Sequence, residues 1–205
     1  MKKLFPFVFV LIIVLFSSCK NEKKELSPSL KEKENKEAIS KIDPSYQQIG
    51  LEIAFSTKAE LGKNLMGTMK EKGAVAALEF CNIKAISLTD SMATVHKARI
   101  KRVSDKTRNP NNKANDSELK NIEVFKNLLS NNEDIAPIVE TKNDSIHFYY
   151  PIITNEMCLK CHGTPNKDID TKTFSALERL YPNDMAIEYS ENQVRGIWSI
   201  QFKKE

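Results

Sequence analysis

The five residues Cys158-Leu159-Lys160-Cys161-His162 constrain this chain more than any other feature, because they match the attachment pattern of a c-type haem. Two thiols at this spacing can each add to one vinyl group of a single porphyrin, and the adjacent imidazole then reaches the iron. The pattern predicts Cys158 and Cys161 as the covalent attachment residues and His162 as the proximal iron ligand. One such motif implies one haem c.

Three other uses of the cysteine pair are less well supported. A zinc site would need a further pair of cysteines or histidines at metal-ligand spacing. A thioredoxin-like pair normally begins a helix in a βαβ pattern, and histidine need not follow it. A disulfide between Cys158 and Cys161 is the plain alternative for an exported protein. The complete five-residue match favours haem over all three.

The N-terminus indicates export. Two lysines, an apolar run from Leu4 to Phe16 and two serines precede Cys19, which predicts a signal peptide over residues 1–18. The apolar run is too short for a membrane-spanning helix. A cysteine in this position resembles the lipobox of bacterial lipoproteins, although Phe16 stands where leucine is more usual, so we predict lipidation of Cys19. The alternative is an ordinary cleaved signal or an uncleaved anchor, and every one of these places the folded part outside the cytoplasm.

We predict that residues 19–43 are a lipidated, charged segment before the globular part. The stretch is rich in lysine and glutamate and has few apolar residues, so it predicts a flexible tether to a membrane. Lys20 after Cys19 is not the aspartate that retains lipoproteins in the inner membrane. By resemblance to lipoprotein sorting rules, we expect a periplasm-facing lipid anchor, with the outer membrane slightly favoured.

Charge gives no reason to expect a nucleic-acid partner. The formal net charge of the 205 residues is +4, and removing residues 1–18 takes away two lysines and leaves +2. The remaining lysines alternate with glutamates instead of clustering. Residues 44–205 suit one domain of ordinary size.

The first half of that domain reads as long helices. From Tyr46 to Gly73 apolar residues recur at spacings of four or eight, and Gly73 is a natural terminator. A second helix over residues 74–95 has an alanine-rich apolar face that includes Cys81, so this thiol is predicted to point toward the core.

The second half reads as an antiparallel sheet with one more helix. We predict a strand at 97–104, a helix at Ser117–Leu129 and two strands around a turn at Asn143 and Asp144. The haem motif then falls in a loop, and residues 196–202 form the last strand, with 197, 199 and 201 on one face and 198, 200 and 202 on the other. This order predicts an α+β fold.

The sixth iron ligand is open on chemical grounds. Methionine or histidine is the usual choice, whereas a cysteine on an alanine-rich helix face is usually inert core. Yet Cys81 has no cysteine partner if the other three cysteines are lipidated or hold haem. A single unpaired cysteine in an exported protein indicates some specific use of the thiol. The candidates are Cys81, His96, His147, Met66, Met69, Met92, Met157 and Met185.

Several separated motifs resemble one known family. They are "LGKNLMGTMKEKGAVAALEFCNIKAISLTD", "RVSDKTRNPNNKANDSE", "MCLKCHGTP" and "LYPNDMAIEYSENQVRGIWSIQF". Together they are similar to exported single-haem c-type proteins with a PAS-like fold, long catalogued as a domain of unknown function. The similarity runs from about Tyr46 to Phe202, which is nearly the whole mature domain.

The resemblance implies an architecture and a ligand set. It implies long N-terminal helices packed on a five-stranded antiparallel sheet that carries the haem. It also implies histidine and cysteine as axial ligands, with the cysteine on the alanine-rich helix, which is Cys81 here. Arg108, in the family segment "KTRNPNN", is a candidate for a haem propionate contact, and Arg102 is a second candidate. The alternative for Arg108 is a pair with a surface carboxylate.

These residues favour a membrane-tethered mono-haem protein that acts in electron transfer or redox sensing with an unknown protein partner. The alternative is a haem-based sensor of a small gas or redox ligand, which would also need a partner. We expect no enzymatic activity, because peroxidase-like turnover would require an open iron face and a distal acid or base, and nothing in the sequence places one.

Overall fold

The structure is a computed structural model that describes residues 43–204. The predicted signal peptide, Cys19 and the tether up to residue 42 lie outside this range. No helix in residues 43–204 has an apolar stretch long enough to cross a membrane. The elements in chain order are α1 (Pro44–Val95), β1 (Arg99–Val103), a 3-10 turn (Pro110–Asn112), α2 (Asp116–Ser130), β2 (Ile138–Lys142), β3 (Ser145–Ile153), α3 (Glu156–His162), α4 (Thr171–Leu180) and β4 (Val194–Lys203).

The four strands form one antiparallel sheet in the order β1-β4-β3-β2. The predicted α+β class and antiparallel sheet are therefore confirmed. The five strands implied by the resemblance are wrong for residues 43–204, where the sheet has four. Where a further strand would run beside the end of β1, Ser104 and Lys113 make only a single bridge. Pro110, in the 3-10 turn just before that bridge, has no N–H to extend a ladder.

The helix α1 breaks at Gly73, where the sequence predicted a helix end, and the chain reverses direction there. Gly73 has φ +83° and ψ 178°, a non-helical conformation that favours glycine. A straight helix would place residues 56 and 96 about 60 Å apart. Instead the Ser56 Oγ and His96 Nε2 atoms are 2.8 Å apart. The element is thus a helical hairpin, with a first arm before Gly73 and a second arm after it.

Helices cover both faces of the sheet. On one face Phe148, Trp198 and Ile200 are buried against the first arm of α1, around Ile53. On the opposite face buried side chains of the sheet pack against α2, and they include Val103, Tyr149 and Ile197. The predicted alternation along the last strand is confirmed, because Ile197 and Trp198 belong to different clusters.

A third cluster positions the haem motif. Leu177 and Tyr181, at the end of α4, pack with Leu78 of the second arm and with Cys161 of α3. The region between β3 and β4 therefore contains two helices where the sequence predicted only a loop. Seven residues of α3 span barely two turns, too few for a periodic apolar pattern to be read. Its start is instead set by Asn155, which accepts a hydrogen bond from the Cys158 amide at 3.2 Å.

We expect Gly50→Ala to destabilise the domain. A Cβ atom at Gly50 would overlap the ring of buried Phe148, so the change should lower the free energy of unfolding by about 1–3 kcal/mol. Gly67→Ala is the matched control, since nothing lies within 4 Å of a Cβ there and alanine is favoured over glycine in a helix by up to about 1 kcal/mol. Urea denaturation measures both, and equal midpoints for the two variants would contradict the close packing at Gly50.

Candidate functional site

One cavity of about 350 Å³ brings together the predicted site residues that the structure describes. Its walls come from both arms of α1, from β1 and the loop after it, from α3, and from the start of β4. The volume lies in the range of ligand pockets. The predicted site residues in its lining are Cys81, Arg102, Arg108, Cys158, Cys161 and His162.

The helix α3 presents both motif cysteines to the cavity. Positions 158 and 161 are three apart, which places them on one helical face. Neither forms a disulfide, and Cys81 is also a free thiol among the described residues. Burial raises the pKa of the Cys161 thiol to about 11, so this sulfur is held protonated. Both thiols are free of disulfide bonds, as addition to a vinyl group requires.

His162 has its ring fixed in one tautomer. Its Nδ1 atom lies 2.7 Å from the carbonyl oxygen of Ala186, and a carbonyl can only accept, so Nδ1 carries the hydrogen. Nε2 is then an unprotonated nitrogen with a free lone pair. Burial, with Arg108 and Arg195 nearby, holds the pKa of His162 well below its usual range. A neutral imidazole with a backbone acceptor behind it is the arrangement that metal-ligating histidines adopt.

The loop before β4 holds the end of α3 in place. The amide of Tyr189 donates to the His162 carbonyl at 2.9 Å, and the amide of Glu188 donates to the Gly163 carbonyl at 3.0 Å. These bonds satisfy carbonyl groups that a helix end leaves without partners. They also fix the position of His162 relative to the sheet.

Arg108 braces this same loop. Its guanidinium pairs with the carboxylate of Asp184 at 2.9 Å and also donates to the carbonyls of Cys161 and Ala186. The carboxylate pair that the sequence left open as an alternative is thus present, although the Asp184 side chain is only 9% exposed where a surface carboxylate was expected. A propionate contact of Arg108 stays a prediction.

The guanidinium of Arg102 has unsatisfied hydrogen-bond donors. Its Nε atom is buried and has no hydrogen-bond partner, and its Nη2 atom makes only long contacts of 3.4 Å with the Ala85 carbonyl and the Thr89 hydroxyl. A buried cation with an unsatisfied donor is costly unless an anion compensates it. Arg102 therefore suits the carboxylate of a ligand in this cavity, and the predicted propionate contact fits it better than it fits Arg108.

Cys81 lies in the wall contributed by the second arm of α1. Burial raises the pKa of its thiol, whereas the charges of Arg102 and Arg108 act in the opposite direction.

The structure divides the predicted sixth-ligand candidates into two groups. Cys81, Met66, Met69 and Met157 line the cavity, whereas His96, His147, Met92 and Met185 do not.

Each candidate outside the cavity has another place in the fold. His96 contacts Ser56 and ends α1, and His147 lies on β3 opposite Glu140 and Gln201. Met92 packs on the core of the sheet, and the Met185 side chain is exposed. Apart from His162, every predicted iron-ligand candidate that lines the cavity is therefore a sulfur-containing residue.

Sequence reasoning missed Arg195. Its Nη1 atom donates to the Ser104 hydroxyl at 2.9 Å and to the Lys106 carbonyl at 3.0 Å, and its Nε atom lies 3.3 Å from Nδ1 of His162. The available signal was a charged residue at the second position of the strand, between Val194 and Gly196. Asp184 was missed because only the fold brings it to Arg108.

The alternatives to haem find little support in the described region. Residues 43–204 contain no group of three or more histidine, cysteine or acidic side chains arranged for a metal ion. The sheet there is antiparallel throughout, so α3 is not the helix of a βαβ unit.

Comparison with known proteins gives one family and one fold. The Tll0287-like family model matches residues 20–202. The crystal structure of the cyanobacterial heme-protein Tll0287 is similar with a TM-score of 0.58 and 17% sequence identity, covering 80% of this chain and 98% of that one. At this identity the likeness shows a shared fold. No curated protein matches the sequence.

Proposed function

The chain belongs to the Tll0287-like family, and from that premise we propose that it is a haem-binding protein that holds one haem c covalently in the cavity. The observation that carries the proposal is the convergence of Cys158, Cys161 and His162 with Arg102 and Cys81 on that one cavity. Residues far apart in the sequence meet there with the donor types that an iron porphyrin requires.

The two thiols of α3 would hold the porphyrin. Cys158 and Cys161 would each add across one vinyl group, forming a carbon–sulfur bond in place of the double bond and passing the thiol hydrogen to the neighbouring carbon. This addition needs no oxidant, but it needs reduced thiols, and both are free in the structure. Arg102 would neutralise a propionate through its unsatisfied Nε donor.

His162 and a sulfur atom would hold the iron. His162 offers Nε2, because Nδ1 is occupied by the Ala186 carbonyl. Cys81 is the proposed second ligand, since among the cavity-lining sulfur atoms outside the attachment motif it is the one that can become a thiolate, the others being thioethers. Burial raises the pKa of its thiol, and the charges of Arg102 and Arg108 oppose that rise. When bound, the haem supplies one-electron chemistry between ferric and ferrous iron.

We propose electron transfer or redox sensing as the role, with a separate protein as partner. The described residues that line the cavity include no carboxylate and no histidine besides His162, so a distal acid or base for peroxidase-like turnover is not available from those types. The proposal is therefore of a non-enzymatic protein. If His162 and Cys81 both held the iron, a gas would have to displace one of them to bind.

We further propose that Cys19 is lipidated and tethers the domain to a bacterial membrane on its periplasmic side, slightly favouring the outer membrane. The apolar run and the small residues before Cys19 support this. Mass spectrometry of the mature N-terminus tests it.

Carbon monoxide binding distinguishes electron transfer or redox sensing from the alternative, a gas sensor. We expect the reduced wild-type protein, matured with its haem, to show no rapid formation of a carbon monoxide complex, because Cys81 must leave before the gas can bind. Stopped-flow absorbance measures this, and Cys81→Ala is the comparison, in which binding should be at least tenfold faster. Immediate and complete binding by the resting wild type would favour the gas-sensor alternative.

A further inference from the structure

The environment of His162 contains a positive charge that forms no ion pair within the described residues. Arg108 is paired with Asp184, whereas Arg195 has no carboxylate of residues 43–204 within ion-pair distance. The acceptors of its hydrogen bonds include the Ser104 hydroxyl and the Lys106 carbonyl, which are both neutral. The guanidinium keeps its charge, because arginine is effectively always protonated in proteins.

The same contacts hold that charge directly behind the imidazole. Two hydrogen bonds from Nη1 of Arg195 fix the guanidinium to the loop after β1. The Cζ atom of Arg195 lies 5.5 Å from the ring centre of Tyr189. Nε is 3.3 Å from Nδ1 of His162, but Nδ1 already donates to Ala186, so this approach is an electrostatic contact and not a hydrogen bond. The position of the charge is thus set by the fold, independently of any ligand.

We propose that Arg195 is a positioning residue that keeps an unneutralised positive charge beside the proximal ligand and thereby favours ferrous over ferric iron. The inference rests on the proposed function. Ferric haem carries one more positive charge than ferrous haem, so a fixed cation nearby destabilises the ferric form more, and a buried cation is poorly screened by salt. Arg195 would therefore offset part of the preference for ferric iron that a thiolate ligand brings.

The test is a spectroelectrochemical titration of the haem-loaded protein and three variants. At the wild-type midpoint potential, where ferric and ferrous forms are equal, Arg195→Gln should shift their ratio roughly tenfold toward ferric, which is about 59 mV for one electron. Arg195→Lys keeps the charge and should stay within about threefold of the wild type. Arg179→Gln makes the same charge change at an exposed pair with Glu79 and should leave the ratio within about twofold.

The outcomes are distinct. A midpoint unchanged in Arg195→Gln overturns the inference, as does a shift in Arg195→Lys as large as that in Arg195→Gln. If Arg195→Gln does not fold, Arg195→Lys decides, because a tenfold shift in that charge-conserving variant would show that charge is not the cause. Haem content, measured first as the pyridine haemochrome, identifies a failure of the proposed function separately, since a wild type without covalent haem overturns that function and this inference with it.

Discussion

Replacing Cys158 and Cys161 together by serine is expected to abolish covalent haem attachment. The hydroxyl of serine does not add to a vinyl group as a thiol does, so at least tenfold less haem should remain on the protein after denaturing electrophoresis and haem staining. The single variant Cys158→Ser should hold haem through one thioether only, and the pyridine haemochrome spectrum distinguishes one saturated vinyl group from two.

Cys81→Ala is the matched control for attachment. It also removes a cavity-lining thiol, but one that lies on α1 outside the motif, so it should retain covalent haem. Haem staining of the double serine variant at the wild-type level would contradict the assignment of α3 as the attachment site.

Cys81→Ala is also expected to change the coordination of the iron. The wild type should give a six-coordinate low-spin spectrum with thiolate features, and the variant should lose those features, because no other group in the second arm of α1 offers a thiolate. The midpoint potential should rise, since a thiolate donates electron density and stabilises ferric iron. Absorption and electron paramagnetic resonance spectra of the ferric protein measure the change.

Three methionines provide the controls for this second prediction. Met66, Met69 and Met157 line the same cavity, so each is replaced by leucine, which keeps volume and removes the sulfur. All three variants should keep the wild-type spectrum. An unchanged spectrum in Cys81→Ala would show that another group is the ligand. A changed spectrum in one leucine variant would assign the ligand role to that methionine.

Much of this fold could be predicted because the decisive signals are local. The break at Gly73, the turn at Asn143 and the alternation along the last strand each depend on a few neighbouring residues, and all three are present in the structure. The membership of a haem-protein family, predicted from separated motifs, is confirmed by the family match.

The remaining features depend on the tertiary fold. The helices α3 and α4 have seven and ten residues, and short helices are stabilised by what they pack against more than by their own pattern. Likewise, Arg108 shows no local sign that Asp184 will be its partner, because 76 positions separate them. The assignment of Arg195 beside His162 requires the β4 strand to be placed first.

The meeting of distant residues in the cavity has a consequence for chain entropy. Cys81 and His162 are 81 positions apart, so one iron bound to both would close a loop of that length, as a disulfide does. The chain-entropy model for such a cross-link gives about 4–5 kcal/mol of stabilisation, through the unfolded state. Such a link would fasten the second arm of the helical hairpin to α3, which carries His162. Denaturant unfolding of the haem-loaded wild type and the Cys81→Ala variant measures that contribution.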